Sequence, residues 1–490
     1  MLATVRSGVP IASKLAPTFG FCGRSASRPV PPGTLRCRRP RRDAAALCGL
    51  HSPPSFHRVP SVSEQSGQPT VRRAALAFIF ITVLLDVLAI GIIIPVLPHL
   101  IERFTGSTAS AAIWVGVFGS AFALAQFIAS PVQGALSDRF GRRPVILVSN
   151  LGLGLDFVLM AVAGTLPILF LGRVLAGITS ASISTANAYI ADVTPAERRA
   201  ASFGMLGAAF GIGFVVGPAL GGVLGGVDLR LPFWVAAGLA LANFLYGLLI
   251  LPESLPPERR DGFRWSRANP VGSLQMLRRY PQVFGLVGVV LLSQIAHYAL
   301  PSVFVLYAAH RYGWGEDRVG WVLALVGVCN VLVQALLIRR LVPRIGERNA
   351  LLLGLGFGAL GFAWMGLAAV GSVFLMAIPF MALWGLAGPS AQALMTRQVD
   401  EREQGRLQGA VTSAVSLSGV FAPVVFTQVF AASIAALSGV DWSGLAFLLA
   451  AVLLLGGVAL AARVTRTAAT IPIPPSGESP LEERASARRA

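Results

Sequence analysis

Gly134-Ala-Leu-Ser-Asp138-Arg139-Phe-Gly141-Arg142-Arg143-Pro144 is the stretch on which the fold turns. Its eleven residues hold three arginines, one acid and two glycines. The flanking segments, 111–133 and 144–164, share a single charged residue, Asp156. A helix needs about 20 apolar residues to cross the hydrocarbon core of a bilayer. The stretch therefore reads as a charged turn between two membrane-spanning helices. The glycines allow the bend, and Asp138 is set to cap or pair across the turn.

The same ruler applied outward finds twelve spans. Six lie at roughly 74–97, 111–133, 144–164, 167–190, 203–225 and 232–252, and six at roughly 282–306, 318–338, 349–370, 372–395, 407–431 and 443–463. Composition agrees: of 490 residues, 54% are hydrophobic and 13% charged. Soluble domains run near one quarter charged, and a disordered chain would lack this apolar content. The predicted fold is an all-α polytopic membrane protein of twelve helices, with bundles at 74–252 and 282–463. A cytoplasmic central loop, 253–281, joins them, and a cytoplasmic tail, 464–490, follows.

Loop charge orients the chain, because cytoplasmic loops collect Lys and Arg. With the N-terminus inside, the cytoplasmic segments from Arg72 to Arg466 hold 22 Arg and the external loops four: Arg103, Arg230, Arg311 and Arg318. Both termini are expected in the cytoplasm, with the spans in the cell (inner) membrane. The halves also repeat. At an offset of 205 residues, Arg139 matches Arg344, Gly141 matches Gly346, Arg143 matches Arg348, Gly204 matches Gly409 and Pro218 matches Pro423. Parallel repeats of this size are a build of secondary transporters.

The net charge of +18 raises the question of a nucleic-acid partner. Residues 1–73 hold 12 Lys+Arg against 2 Asp+Glu, which is +10 of that total, and the rest sits in short loops. No nucleic-acid binding is expected. Residues 1–73 read as a basic Arg/Pro-rich tail: disordered, a targeting segment, or translated sequence upstream of a true start near Val71. Three of the four cysteines, Cys22, Cys37 and Cys48, lie there, and Cys329 lies in a span. With no CxxC pair, neither a metal site nor a disulfide framework is indicated. No GxxxxGK[ST] loop is present, which argues against an ATP-driven pump, and no cofactor is expected.

Span 5 places Gly213, Gly217, Gly221 and Gly225 on one helix face. Small residues at that spacing let two helices meet backbone to backbone, and Pro218 bends the helix. Three ionisable residues lie deep in spans: Asp86, Asp156 and Arg173. Such groups are costly in hydrocarbon and mark function by default. At ~1.5 Å of rise per residue, Asp86 and Asp156 both lie about 19 Å from the cytoplasmic ends of their spans. Asp156 and Arg173 sit at nearly equal depth across the tight hairpin at Thr165-Leu166, so an ion pair between them is allowed. The pair, with Asp86, is the candidate proton-coupling group. Asp86 is also a candidate substrate contact, with Gln126, His297, Asn330 and Gln334 as further cavity-lining candidates. Asp192, at the cytoplasmic end of span 4, is a candidate gate.

The charged turn resembles the G-x-L-x-D-R-x-G-R-R loop of the major facilitator superfamily, carried here by Gly134, Asp138, Arg139, Gly141, Arg142 and Arg143. Gly217-Pro218-Ala-Leu-Gly221-Gly222 is similar to the element that marks antiporting exporters in that superfamily. Leu85-Asp86 through Gly91 to Pro95-Val-Leu-Pro98, Leu155-Asp156-Phe157, Leu171-Gly-Arg173 to Thr179, and Ile190-Ala-Asp192-Val-Thr194 resemble the drug:proton antiporters, closest to the tetracycline efflux transporters. The likeness covers about residues 74–463. It implies proton-coupled efflux of tetracycline-like or other amphiphilic drugs by a monomer whose partners are a small molecule, protons and the bilayer. Two positions depart: Asn330 stands where that group has a His, and Gly358 where it has an acid. An alternative is a proton-coupled transporter of a metabolite. No HExxH or GxSxG suggests an enzyme.

Overall fold

The computed structural model describes residues 69–180, 182–194, 199–260, 281–399, 404–436 and 442–468. Among them there is no β-strand. Span 1 is α1 (Pro69–Ile93) with α2 (Leu97–Thr105), span 2 is α3 (Thr108–Phe140), and span 3 is α4 (Arg142–Val162). Span 4 is α5 (Leu166–Thr179) with α6 (Ser182–Val193), span 5 is α7 (Arg199–Val227), and span 6 is α8 (Leu231–Ile250). In the second half, span 7 is α9 (Pro281–His297) with α10 (Ala299–Tyr312), and span 8 is α11 (Glu316–Leu332), a π turn (Val333–Leu337) and α12 (Ile338–Ile345). Span 9 is α13 (Glu347–Leu367). Span 10 is α14 (Gly371–Ala382), a 3-10 turn (Leu383–Leu386) and α15 (Ala387–Thr396). Spans 11 and 12 are α16 (Gln404–Ala436) and α17 (Leu445–Ala468). Eleven spans contain helix long and apolar enough to cross a bilayer, and span 4 is built of two shorter helices. Residues 1–68, most of the central loop (261–280) and 469–490 lie outside the described residues.

The repeat read from the sequence recurs in backbone geometry. Gly141 and Gly346 join spans 2–3 and 8–9 at φ 104° and 80°. Side chains with a Cβ rarely adopt that region. The breaks also repeat. Spans 1, 4, 7 and 10, the first of each group of three, are each divided into two helices, and span 8 is interrupted by its π turn.

Two opposite ends can be defined by their side chains. The basic end carries Arg139 to Arg143, and the acidic end carries Glu102 and Glu316. The halves meet at the acidic end. Span 5 lies between span 1 and span 8 there, with glycine on both faces. A methyl on Gly217 would stand 2.8 Å from Gly91 Cα on span 1, and one on Gly222 would stand 2.9 Å from Gly320 Cα on span 8. Gly213, Gly221 and Gly225 also face span 1, against Val87, Ile92 and Val96. A second seam joins spans 2 and 11, where Gly119 faces Pro423 and Gly116 faces Thr427. One apolar core runs through this end from Ile93 and Leu100 to Phe426 and Phe430. The basic end of the first half has a separate core, built on Phe78, Val83, Tyr189 and Leu206. Toward that end, Gly134, Gly204, Gly207 and Gly388 all face open space. The close approaches between the halves thus lie toward the acidic end.

Candidate functional site

Arg142 is the hub of the basic-end turn. Its Nη1 lies 2.6 Å from Asp138 Oδ1, and its Nε lies 3.2 Å from Asp192 Oδ2. Nη1 also donates to Ser137 Oγ at 2.5 Å, and that hydroxyl donates to the Gly134 carbonyl at 2.8 Å. Three spans are tied through one guanidinium, whose planar fork suits two carboxylates at once. Sequence reasoning missed Glu253. Its carboxylate accepts from the backbone N–H of Arg142 at 2.8 Å and of Arg143 at 3.3 Å. These are orphan donors at the start of span 3, where the helix dipole favours an anion. The available signal was an acid in Pro252-Glu253-Ser254, directly after span 6. Ser254 Oγ in turn donates to Asp192 Oδ2 at 3.2 Å, and Tyr189 donates to the Pro252 carbonyl at 3.1 Å. Arg139 stacks on Phe140, with its guanidinium carbon 5.1 Å from the ring centre.

Deeper in the first half, Asp86 and Asp156 are each 1% exposed. Asp86 Oδ1 accepts from Asn243 Nδ2 at 3.0 Å, and the same amide donates to the Thr82 carbonyl at 3.1 Å. Span 6 thus supplies the partner of Asp86, which the sequence left without one. Asp156 has no hydrogen bond to either oxygen. One of those oxygens, Oδ1, would lie 2.7 Å from a Cβ placed on Gly172. The ion pair with Arg173 that their equal depth allowed is not formed, since no Arg173 nitrogen comes within 4.0 Å of the carboxylate. The guanidinium instead lies over the Phe122 ring, 4.6 Å from its centre. An aromatic face attracts a cation, and equal depth on two helices does not settle which way either side chain turns. Gln126 is half-buried on the same span as Phe122.

In the second half, Asn330 is half-buried, and Gln334 is exposed within the π turn of span 8. Such turns recur at functional sites. His297 ends α9 and is exposed, with Tyr298 and Trp384 beside it. The structure therefore groups Asp156, Arg173 and Gln126 around spans 2 to 4. It sets Asp86 apart with Asn243 and clusters His297 with Trp384. At the acidic end, His99, Glu102, Arg103, Gly106, Leu229 and Glu316 line a cleft of about 340 Å³. His99 Nδ1 lies 3.7 Å from Glu102 and 4.0 Å from Glu316 across the seam.

Two six-span halves with ionisable groups buried within the spans are the build of a multi-pass membrane transport protein. The sequence profile of the Major Facilitator Superfamily matches residues 79–423, and the chain belongs to that family. It is 39% identical over 381 residues to the class C tetracycline resistance protein of Escherichia coli, covering 78% of this chain and 94% of that one. The human organic anion transporter MFSD10 (TETRAN) has a similar structure, with TM-score 0.61 and 24% identity over 80% of this chain and all of that one. So does the inward-facing bacterial homolog of the human lysosomal transporter Spinster, with TM-score 0.67 and 18% identity over 84% of this chain and all of that one. These two likenesses bear on the fold.

Proposed function

We propose that the chain is a proton-coupled exporter that carries tetracycline-like or other amphiphilic drugs out of the cell and performs no covalent chemistry. It works as a monomer in the inner membrane, with the arginine-rich end in the cytoplasm. In that orientation the tight glycine seams between the halves lie on the outer side. The observation that carries the reading is Asp156: a buried carboxylate in a span, with neither oxygen hydrogen-bonded. Such a group is costly in hydrocarbon and marks a proton or ion relay. The resemblance to tetracycline resistance proteins supplies the substrate class.

In this reading Asp156 takes and releases the proton, and Arg173 biases it through the field rather than by contact. Asp86 answers through Asn243. Gln126, Asn330, Gln334 and His297 line the drug path. Asp138, Arg142 and Asp192 latch the cytoplasmic side, and the glycine face of span 5 lets the halves rock. The test is flux in proteoliposomes under an imposed pH step, beside equilibrium drug binding on the same preparations. Asp156→Asn is expected to abolish gradient-driven export and to leave binding in place. Arg173→Gln in that background is expected to restore folding without restoring coupling. Recovery of gradient-driven export in the double variant would place the proton elsewhere.

A further inference from the structure

Gly358 on span 9 directs its missing side chain at span 10. A Cβ there would stand 2.8 Å from Cγ of Trp384 and 3.1 Å from its Cβ. The indole fills the volume that any side chain at 358 would need. Two contacts hold it there. Nε1 donates to Ser293 Oγ on span 7 at 3.0 Å, and Phe362 meets the ring edge-on with centroids 5.7 Å apart. His297 lies 5.7 Å from Trp384, tilted by 51°, and 6.4 Å from Tyr298 at 76°. Three rings from spans 7 and 10 thus make a corner.

His297 is the open side of that corner. It is exposed, between the half-buried rings of Tyr298 and Trp384. Neither ring nitrogen has a hydrogen-bond partner among the described residues. A neutral imidazole has one donor and one acceptor to offer. Spans 7–12 contain no acid between Arg318 and Gly346 or between Asn349 and Val399. No carboxylate in those stretches would pair with a cation or ligate a metal at this corner.

We infer that His297, Tyr298 and Trp384 form a recognition wall in the second half that takes a planar aromatic ring system face-on and reads a polar atom at its edge through His297. This deepens the exporter reading above and rests on it. Ring faces held in place favour offset stacking of a flat ligand. The unmet imidazole nitrogens add orientation, because a buried polar group left unpaired penalises a ligand that cannot bond it.

The probe is 4-nitroquinoline N-oxide, which is uncharged and planar, with erythromycin as a non-aromatic comparison. Equilibrium dialysis of the purified full chain measures binding of each, and efflux-deficient cells measure export. His297→Ala and Trp384→Phe are each expected to weaken nitroquinoline binding by about five- to tenfold and erythromycin binding by less. His297→Phe is expected to recover part of the loss through its ring. His297→Ala lies on the open side, needs no repacking, and carries the test should Trp384→Phe not fold. Unchanged nitroquinoline binding in His297→Ala, equal losses for both probes, or no nitroquinoline binding by the unaltered protein would overturn the wall. The expected binding pattern with no export of either probe would keep the wall and sink the exporter reading.

Discussion

Gly320→Ala is expected to push the molecule out of the conformer described here. The added methyl would stand 2.8 Å from Gly222 Cα and would meet the Pro218 carbonyl oxygen. Both obstacles are backbone atoms of span 5, so neither can swing aside. Relief requires spans 5 and 8 to part at the acidic end. Overpacking of this kind costs about 1–3 kcal/mol. The strain falls only on the conformer in which the seam is shut. The gain from replacing Gly by Ala in a helix, about 1 kcal/mol, is common to both conformers and cancels. At 1.4 kcal/mol per tenfold, the balance shifts by about 5- to 150-fold toward a state open at the acidic end. The assay is the distance between spin labels at Ser107 and Trp442 in a cysteine-free background. Both residues are exposed at that end, one in each half. Gly238→Ala, which faces open space away from the seam, serves as the control. A distance distribution unchanged by Gly320→Ala in a stably folded protein would refute the seam as the closing element.

Asp138→Asn is expected to slow transport several-fold while the protein still inserts, because it removes one of the two carboxylates on Arg142; an unchanged rate would leave the turn a topology signal only. Glu253→Gln is expected to lower the unfolding temperature modestly, since charge at a helix start contributes about 0.3–1 kcal/mol; thermal melting of the purified protein checks it. Glu316→Gln is expected to loosen the acidic-end seam by less than about 1 kcal/mol, as suits a long, partly exposed polar contact with His99. The same spin-label pair reads it, and a larger shift than Gly320→Ala gives would reverse the order of the two contributions.

The fold was legible because a bilayer imposes few solutions. Length near 20 apolar residues sets the spans, and the glycines recurring at 141 and 346 became matching turns at φ 104° and 80°. The level of Asp156 against span 4 was legible too, since rise per residue is constant and its carboxylate meets Gly172, next to Arg173. Azimuth was not. Successive residues turn through about 100°, at 3.6 residues per turn, so a shared depth for Asp156 and Arg173 left open that the guanidinium would turn to Phe122. The same ignorance hid Asn243 beside Asp86, and Trp384 over Gly358. It also hid the breaks, because an apolar ruler runs straight through Ser180, Tyr298 and Leu383.

Those breaks tie the site to the fold. Backbone that departs from the helix at membrane depth is tolerated only where it is buried in protein or lines a water-filled space. In this chain the departures fall in spans 1, 4, 7 and 10, with a π turn in span 8. The π turn holds Gln334, and the break in span 7 follows His297 directly. The 3-10 turn of span 10 holds Trp384, whose nitrogen bridges to Ser293. In the second half the irregular segments and the candidate ligand contacts therefore coincide. In the first half the ionisable groups Asp86 and Asp156 sit inside unbroken helix. On the proposed reading, charge in the first half and rings in the second divide the labour: titration on one side, most of recognition on the other. Substitutions at Asp156 should then change the driving force with little effect on which drug is chosen. Substitutions at His297 should change the choice with little effect on the force.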